Sequence, residues 1–467
     1  MRVRGIAGMA VVGMIGAVTF PAFAQSVDTL DAALKTRIDR VAGQELALHG
    51  VPSASIAVVE GGKLVYTRAY GLAHLDPAEP ATPAMRYSIG SISKQFTAAA
   101  ILLLQEQGKL SLDDAVGKYV PDLTRGNEVT IREILSHTSG YQDYWPEDYL
   151  MTPMMKPETA QQILDTWAKK PLDFDPGTKW QYSNTNYVIA GLIVEKVSGE
   201  RLMDFLEEHI FHPLGMKSVW NSDEAKLTST DATAYIRAAL GPLRPAPKEG
   251  RGWMFAAGEL AMTPHDLALW DESLIAQTIL KPESYKTMFT EVKLKDGKGS
   301  HYGLGVFVRD VHGHRELEHS GEVTGFVSEN IVLPDDGAAV VVLTNHMASG
   351  ASEMGQLIAS AVTGEKNQTE AERQALALYR GLQQGQIDRS LLAPNLNDYF
   401  SEQTVDDFRD SLGPLGEPLS LHEVHESLRG GMTFRVFEIA YPAKNLRLTT
   451  YTYPDGKLEQ YLVEQEN

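Results

Sequence analysis

The sequence predicts an α+β fold: one antiparallel sheet built from both ends of a large domain, flanked by helices, with a helical region inserted, and a small α+β domain after it. Three observations predict it. Strand-like runs cluster near the start, at 55–70, and return at 302–345. Between them, from about Leu110 to Thr290, helical periodicity mixes with turn-rich loops. A polar stretch, Gly364 to Glu372, then precedes a second block of helical and strand-like runs. Strands that open and close a domain pair most simply in one sheet, and the cleft between that sheet and the inserted helices is the natural ligand site.

The elements follow in order. Leu30 to His49 carries apolar residues at helical spacing, with charges on the other face. Ser55–Glu60 and Lys63–Tyr70 alternate as strands do, and Gly61-Gly62 between them signals a hairpin. Gly90 permits a sharp turn into Gln95–Leu104, an apolar, alanine-rich run expected to be a buried helix. Tyr302–Arg309, Glu316–Ser320, Gly325–Leu333 and Ala338–Asn345 read as successive strands, closed by a helix at Met354–Val362. The second block has helices near Ala371–Gln384 and Glu402–Leu412. Strands follow at Leu419–Ser427, Thr433–Tyr441, Asn445–Tyr453 and Leu458–Val463, the last two joined by the turn Pro454-Asp455-Gly456. This divides the chain into residues 25–364 and a domain at 371–467. No internal repeat is found.

Arg2 and Arg4 precede the apolar run Ile6–Phe20, and Ala22-Phe23-Ala24 offers a small-x-small cleavage site. Residues 1–24 therefore read as a secretory signal peptide of the general route, with a secreted or periplasmic product. An uncleaved anchor is the alternative, disfavoured by the short run. No later segment is apolar enough to span a bilayer. The absence of cysteine excludes disulfides, thiol catalysis and thiolate metal sites. The formal charge of −19, or −21 once Arg2 and Arg4 are removed, repels nucleic acid and anionic lipid. The expected partner is a small-molecule or peptide substrate, and oligomeric state is left open. No His/Asp/Glu run has metal-ligand spacing, so no metal and no cofactor are expected.

The chemistry-bearing pattern begins at Ser91-Ile92-Ser93-Lys94. Residues three apart on a helix share a face, so the Lys94 amine can lie beside the Ser91 hydroxyl. A serine is a poor nucleophile until a base takes its proton, and a buried lysine can lose enough charge to be that base. A solvated lysine on an ordinary helix is the competing reading of this spacing alone. Two further motifs follow in order: Tyr182-Ser183-Asn184, after Pro176-Gly177-Thr178, and His319-Ser320-Gly321, before Thr324-Gly325-Phe326.

Together these resemble the three motifs of the penicillin-recognising serine hydrolases, in the branch of class C β-lactamases, DD-peptidases, D-aminopeptidases and esterases. The segments Leu135–Gly140, Phe211-His212-Pro213-Leu214-Gly215-Met216 and Ala256-Ala257-Gly258 agree. The resemblance covers about Leu30 to Gly364 and implies a serine hydrolase acting on an ester, peptide or β-lactam-like amide. By that resemblance Ser91 is the nucleophile, Lys94 shares the proton work, and Tyr182, partly phenolate, is a base or relay. Asn184 orients Lys94 and binds substrate with His319, Ser320, Gly321 and Glu322, whose N–H joins that of Ser91 in an oxyanion hole.

One departure bears on substrate. The β-lactamases of this branch usually begin the third motif with lysine; here it is histidine, as in peptidases, D-aminopeptidases and esterases. If His319 pairs with a substrate carboxylate, affinity is expected to rise as pH falls toward 6. His301-Tyr302-Gly303 also fits His-x-Gly, but Gly325-Phe326 favours His319. Trp145 and Trp253 are either cleft walls or core, and His137 is expected to satisfy backbone groups. The 371–467 block resembles the small cone-shaped nuclear-transport-factor-2-like fold. It is expected to cover the cleft, bind a ligand or only stabilise the enzyme. His422 and His425 are expected on opposite strand faces. Readings of other classes are a penicillin-binding sensor that acylates and stalls, and a degenerate enzyme whose last domain does the binding.

Overall fold

Both ends of the large domain do meet in one sheet. The computed structural model describes residues 27–465 apart from 312, 348–349, 364–368 and 442–443, so the signal-peptide segment lies outside the described residues. The N-terminal part contributes helix α1 (Ala32–His49) and strands β1 (Ser53–Glu60), β2 (Lys63–Leu75) and β3 (Ala78–Pro80). Helices α2 (Ser93–Glu106), α3 (Asn184–Ser198) and α4 (Pro264–Ala276) follow. Strands β4 (Phe307–Val311), β5 (His314–Val323), β6 (Phe326–Leu333) and β7 (Ala338–Thr344) then lead into α5 (Gly350–Thr363). The sheet order is β3-β2-β1-β7-β6-β5-β4, all antiparallel, with β1 and β7 in register at Ser55–Leu343 and Ala57–Val341.

The patterning explains the layers. Alternate residues of β1 and β7 face opposite ways. Ile56, Val58, Val340 and Val342 pack under α1 and α5, whereas Ala57, Val59, Val341 and Leu343 join the core that holds α2 and α4. With both faces covered, these strands are apolar almost throughout. Helix α2 is buried from Ser93 to Leu102 on every side, so its sequence is apolar from Ala98 to Leu102, and the polar side chains of its first turns, Lys94, Gln95 and Thr97, are each hydrogen-bonded.

Two expected boundaries move. The first of the four late strands begins at Phe307, not Tyr302. Gly305 adopts φ +80°, and a Cβ on Gly303 would lie 2.1 Å from the Met288 carbonyl oxygen, so this stretch is a turn pressed against the chain. The helix expected near Ala371 begins at Glu370, because Thr369 and Glu372 form a reciprocal cap.

The C-terminal part has helices α6 (Glu370–Gln383), α7 (Pro394–Tyr399) and α8 (Glu402–Leu412). Its four-stranded antiparallel sheet comprises β8 (Ser420–Arg429), β9 (Met432–Tyr441), β10 (Lys444–Thr452) and β11 (Leu458–Gln465), paired in chain order. It has its own apolar core, with Tyr379, Phe400, Leu421 and Leu448 fully buried. A bulge between Glu423 and His425 breaks the alternation on which the opposite-face expectation for His422 and His425 rested. This unit touches α1: Arg37 and Arg40 donate to the carbonyls of Pro418 and Glu417 at 3.1 and 3.0 Å, and Leu419 joins the core beneath α1 and α5. That face of the sheet is opposite α2, so the unit does not cover the site that α2 carries. No helix among the described residues is long and apolar enough to cross a membrane.

Candidate active site

Ser91 sits in a single 3-10 turn, Gly90–Ile92, that runs straight into α2. Gly90 makes the turn at φ +51°, and a Cβ there would lie 2.6 Å from the backbone nitrogen of Glu322. The partner strand is as close from its own side: a Cβ on Gly321 would lie 1.9 Å from the Ile89 carbonyl oxygen. Two glycines thus let β5 lie directly against the turn that carries Ser91. The Ser328 hydroxyl ties the two together by donating to the Ile89 carbonyl at 2.9 Å.

Lys94 is fully buried, and its Nζ lies 2.8 Å from each of Ser91 Oγ, Asn184 Oδ1 and the Ala257 carbonyl oxygen. Burial lowers its pKa from 10.5 to about 7, against the opposing pull of Asp143. Two of the three partners have no hydrogen to give. A neutral amine therefore spends its two N–H groups on Asn184 and Ala257 and turns its lone pair to the Ser91 hydroxyl. Asn184 is oriented for this by Asp143, whose carboxylate accepts from the Asn184 backbone N–H at 2.9 Å and its Nδ2 at 3.3 Å. Asp143 was not among the residues the motifs single out. It lies in an irregular loop with no spacing to a helix or strand period, and no local signal marks it.

Tyr182 joins the cleft wall with its ring 4.9 Å from Lys94 Nζ. Its hydroxyl is buried without a partner at normal hydrogen-bond geometry among the described residues; Ser91 is the neighbour that favours its ionised form. Burial outweighs that and pushes the phenol above its ordinary value. This reverses the expectation of a partial phenolate at rest: a dry site favours both neutral forms, so the amine tends to lose its proton and the phenol keeps its own. His137 stacks on Tyr182 with centroids 4.3 Å apart, and its Nδ1 accepts from the Ser183 N–H and Asn186 Nδ2 at 3.2 Å each.

His319 is placed differently from the expectation. It is 2 % exposed, its Nδ1 donates to the Ser320 carbonyl at 2.6 Å, and its Nε2 accepts from the Tyr302 hydroxyl at 2.8 Å. Burial, with Lys94 nearby, lowers its pKa to about 3. A neutral ring with both nitrogens engaged cannot read a carboxylate, so the expected gain in affinity toward pH 6 is withdrawn. The competing His301 is 80 % exposed at the surface, beside Glu291. Trp145 lines the cleft, whereas Trp253 is core, donating to the Lys156 carbonyl at 2.8 Å.

The cleft has a volume of about 490 Å³. Ser91, Tyr182, Asn184 and Glu322 face it, while Lys94 and His319 stand behind its wall. Among the described residues its carboxylate lining comprises Asp143, Glu147, Asp148 and Glu322, and no lysine or arginine joins them. Burial and the Asp148 charge raise the pKa of Glu322. Elsewhere, Glu200, Glu208 and His209 bring ligand atoms within 4.8 Å of one another, a trio that sequence spacing did not suggest; it is not in the cleft wall.

Comparison with known proteins agrees with the motifs. The Beta-lactamase family model matches residues 38–363, and the chain belongs to that family. It is 29% identical over 307 residues to a D-aminopeptidase of Brucella anthropi, covering 65% of this chain and 58% of that protein. It is also 29% identical over 307 residues to a penicillin-binding protein of Bacillus subtilis (strain 168), covering 63% and 68%. The chain thus spans less than two thirds of that D-aminopeptidase. Among solved structures it resembles a D-stereospecific amidohydrolase from Streptomyces (TM-score 0.61, 26% identity, 71% of this chain and 98% of that one). An octameric penicillin-binding protein homologue from Pyrococcus abyssi has TM-score 0.62 at 23% identity, with 93% and 96% covered. The latter is a likeness of fold that extends over the C-terminal unit.

Proposed function

We propose that this protein is a serine hydrolase that cleaves amides or esters through an acyl-enzyme on Ser91, acting on short substrates with a free amine, such as D-amino-acid amides and peptides. The observation that carries it is the buried Lys94 amine, held by two acceptors with its third position toward Ser91 Oγ. Ser91 gives its proton to Lys94 Nζ as its oxygen bonds to the substrate carbonyl. The oxyanion forms between the backbone N–H groups of Ser91 and Glu322, which the Gly90–Glu322 contact brings together. The carbonyl–nitrogen bond then breaks, and the leaving nitrogen takes the proton back, with the Tyr182 hydroxyl as relay. Water repeats the steps in reverse order of groups and frees Ser91.

The acidic lining supports an amine-bearing substrate, and the relatives' names accord with it. Among the described residues no lysine or arginine lines the cleft wall and His319 is neutral, so a lactam carboxylate beside Ser91 would meet only the buried Lys94 amine. The pattern at residues 1–24 supports action outside the cytoplasm. The test is intact-mass spectrometry during turnover of D-alanine amide, its N-acetyl form and penicillin. An acyl adduct on wild-type protein that Ser91→Ala lacks, with D-alanine amide preferred, is expected. Equal turnover by Ser91→Ala would overturn the nucleophile; preference for the N-acetyl form would overturn the substrate class.

A further inference from the structure

The cleft does not end at its acidic wall. At Met254, Val323 and Thr324 it shares lining residues with a second cavity of about 280 Å³. The charge there is opposite. Lys226 and Lys248 line it; burial acts most on Lys248, whose charge is favoured by nearby Asp223 and Glu249 and opposed more weakly by Lys226. Lys248 makes only long bonds, at 3.4 and 3.5 Å, to the carbonyls of Asp223 and Glu249, and Lys226 is exposed. Among the described residues neither ammonium is paired with a carboxylate. The one carboxylate in this wall, Glu249, is already engaged: it is 6% exposed and its Oε1 accepts the Thr324 N–H at 2.8 Å.

Thr324 supplies an independent sign of a ligand. It is 8% exposed, belongs to both linings, and its buried hydroxyl has no partner among the described residues. Buried hydroxyls are normally satisfied, so one left open where two cavities meet marks a place for a polar group. Its position suits a short substrate. Thr324 follows Glu322 by two residues, roughly 7 Å along an extended chain, and Glu322 packs against the Ser91 turn.

We infer that this second cavity is a subsite for the carboxylate end of the substrate, held by Lys226, Lys248 and the Thr324 hydroxyl. The inference rests on the hydrolase reading above and extends it: the enzyme reads a short peptide by both ends. The amine lies among Glu147, Asp148 and Glu322, the scissile carbonyl lies at Ser91, and the C-terminal carboxylate lies between the lysines. Cleavage leaves the amine-bearing residue on Ser91 and releases the carboxylate-bearing residue as the protonated leaving amine.

The test compares D-alanyl-D-alanine with its C-terminal amide in wild-type protein, the double variant Lys226→Met/Lys248→Met, and Thr324→Val. Wild-type kcat/KM is expected to favour the free acid by about tenfold, a preference the double variant loses and Thr324→Val reduces about threefold. The ratio is internal to each protein, so a loss of folded enzyme does not mimic it. A wild-type ratio near one, or a ratio unmoved by the double variant, overturns the subsite. If neither dipeptide is cleaved, the hydrolase reading fails for peptides. Calorimetric binding of both to Ser91→Ala protein then decides the subsite alone. Tighter binding of the free acid, abolished by the two lysine substitutions, upholds it; equal affinity overturns it.

Discussion

The Tyr302 hydroxyl donates to Nε2 of His319 at 2.8 Å, and this bond defines what the third motif does. It holds the ring as the Nδ1–H tautomer, with that proton on the Ser320 carbonyl. His319 is a strut between β5 and the Tyr302 ring and carries no charge in the working range. Its pKa falls from 6.5 to about 3, so the unfolded chain binds a proton below about 6.5 that the folded ring refuses. The stability from the neutral ring is therefore present above pH 6.5 and lost as pH falls toward 3. NMR of the imidazole is expected to show one neutral tautomer down to about pH 4. A titration of His319 near pH 6 would refute this assignment.

Lys94 sets the acid limb of activity. Its pKa of about 7 means that it is mostly protonated at pH 6 and mostly neutral at pH 8, so kcat/KM rises across that interval. Asp143 raises the pKa of Lys94 and orients Asn184. Asp143→Asn removes the charge and is expected to shift the limb to lower pH while lowering kcat about tenfold. A fall in kcat with the limb unmoved would make Asp143 a structural residue only. The profile is read from initial rates on one amide substrate.

The fold was legible where periodicity and burial agree. The apolar runs of β1 and β7, the hairpin at Gly61-Gly62 and the alanine- and leucine-rich body of α2 carry their own reasons. Ser91, Lys94, Tyr182 and Asn184 were legible because helix geometry and motif order place them together. Asp143 was not, since a loop carboxylate becomes significant only through what it faces. The charge of His319 and Tyr182 was not legible either: residue type gives an ordinary pKa, and burial decides the departure. Thr324 follows the third motif in plain view, but its open hydroxyl appears only when the two cavities are seen to adjoin. The short helix α7 was missed because Pro394–Tyr399 is too brief to show a period.

Gly321 has no room for a side chain. Its Cβ would lie 1.9 Å from the Ile89 carbonyl oxygen and 2.5 Å from Ser328 Oγ, so Gly321→Ala must part β5 from the Ser91 turn. The expected cost is about 1–3 kcal/mol of stability, as for other overpacked sites. Displacing the Glu322 N–H from the oxyanion is expected to lower kcat by about a hundredfold or more. Thermal melting and steady-state kinetics separate the two. Full kcat in a folded Gly321→Ala protein would remove the Glu322 N–H from catalysis.

Glu322 and Asp148 both line the cleft, and on the proposed reading they mark the end that takes the substrate amine. Burial first, and then the Asp148 charge, raise the pKa of Glu322, so like charge gathers at this end of the cleft. An ammonium between them relieves that repulsion, so binding substrate lowers the Glu322 pKa again. The sign follows: as pH falls through the raised pKa, Glu322 takes a proton, the attraction weakens, and KM for an amine-bearing amide rises. Glu322→Gln keeps the backbone N–H and removes the charge. With Asp148→Asn it is expected to raise KM for D-alanine amide about tenfold relative to N-acetyl-D-alanine amide, mostly without change in kcat. The pH dependence of KM should flatten in the same protein. Steady-state kinetics on the two amides from pH 5 to 8 measure both effects, and an unchanged KM ratio would place the amine elsewhere.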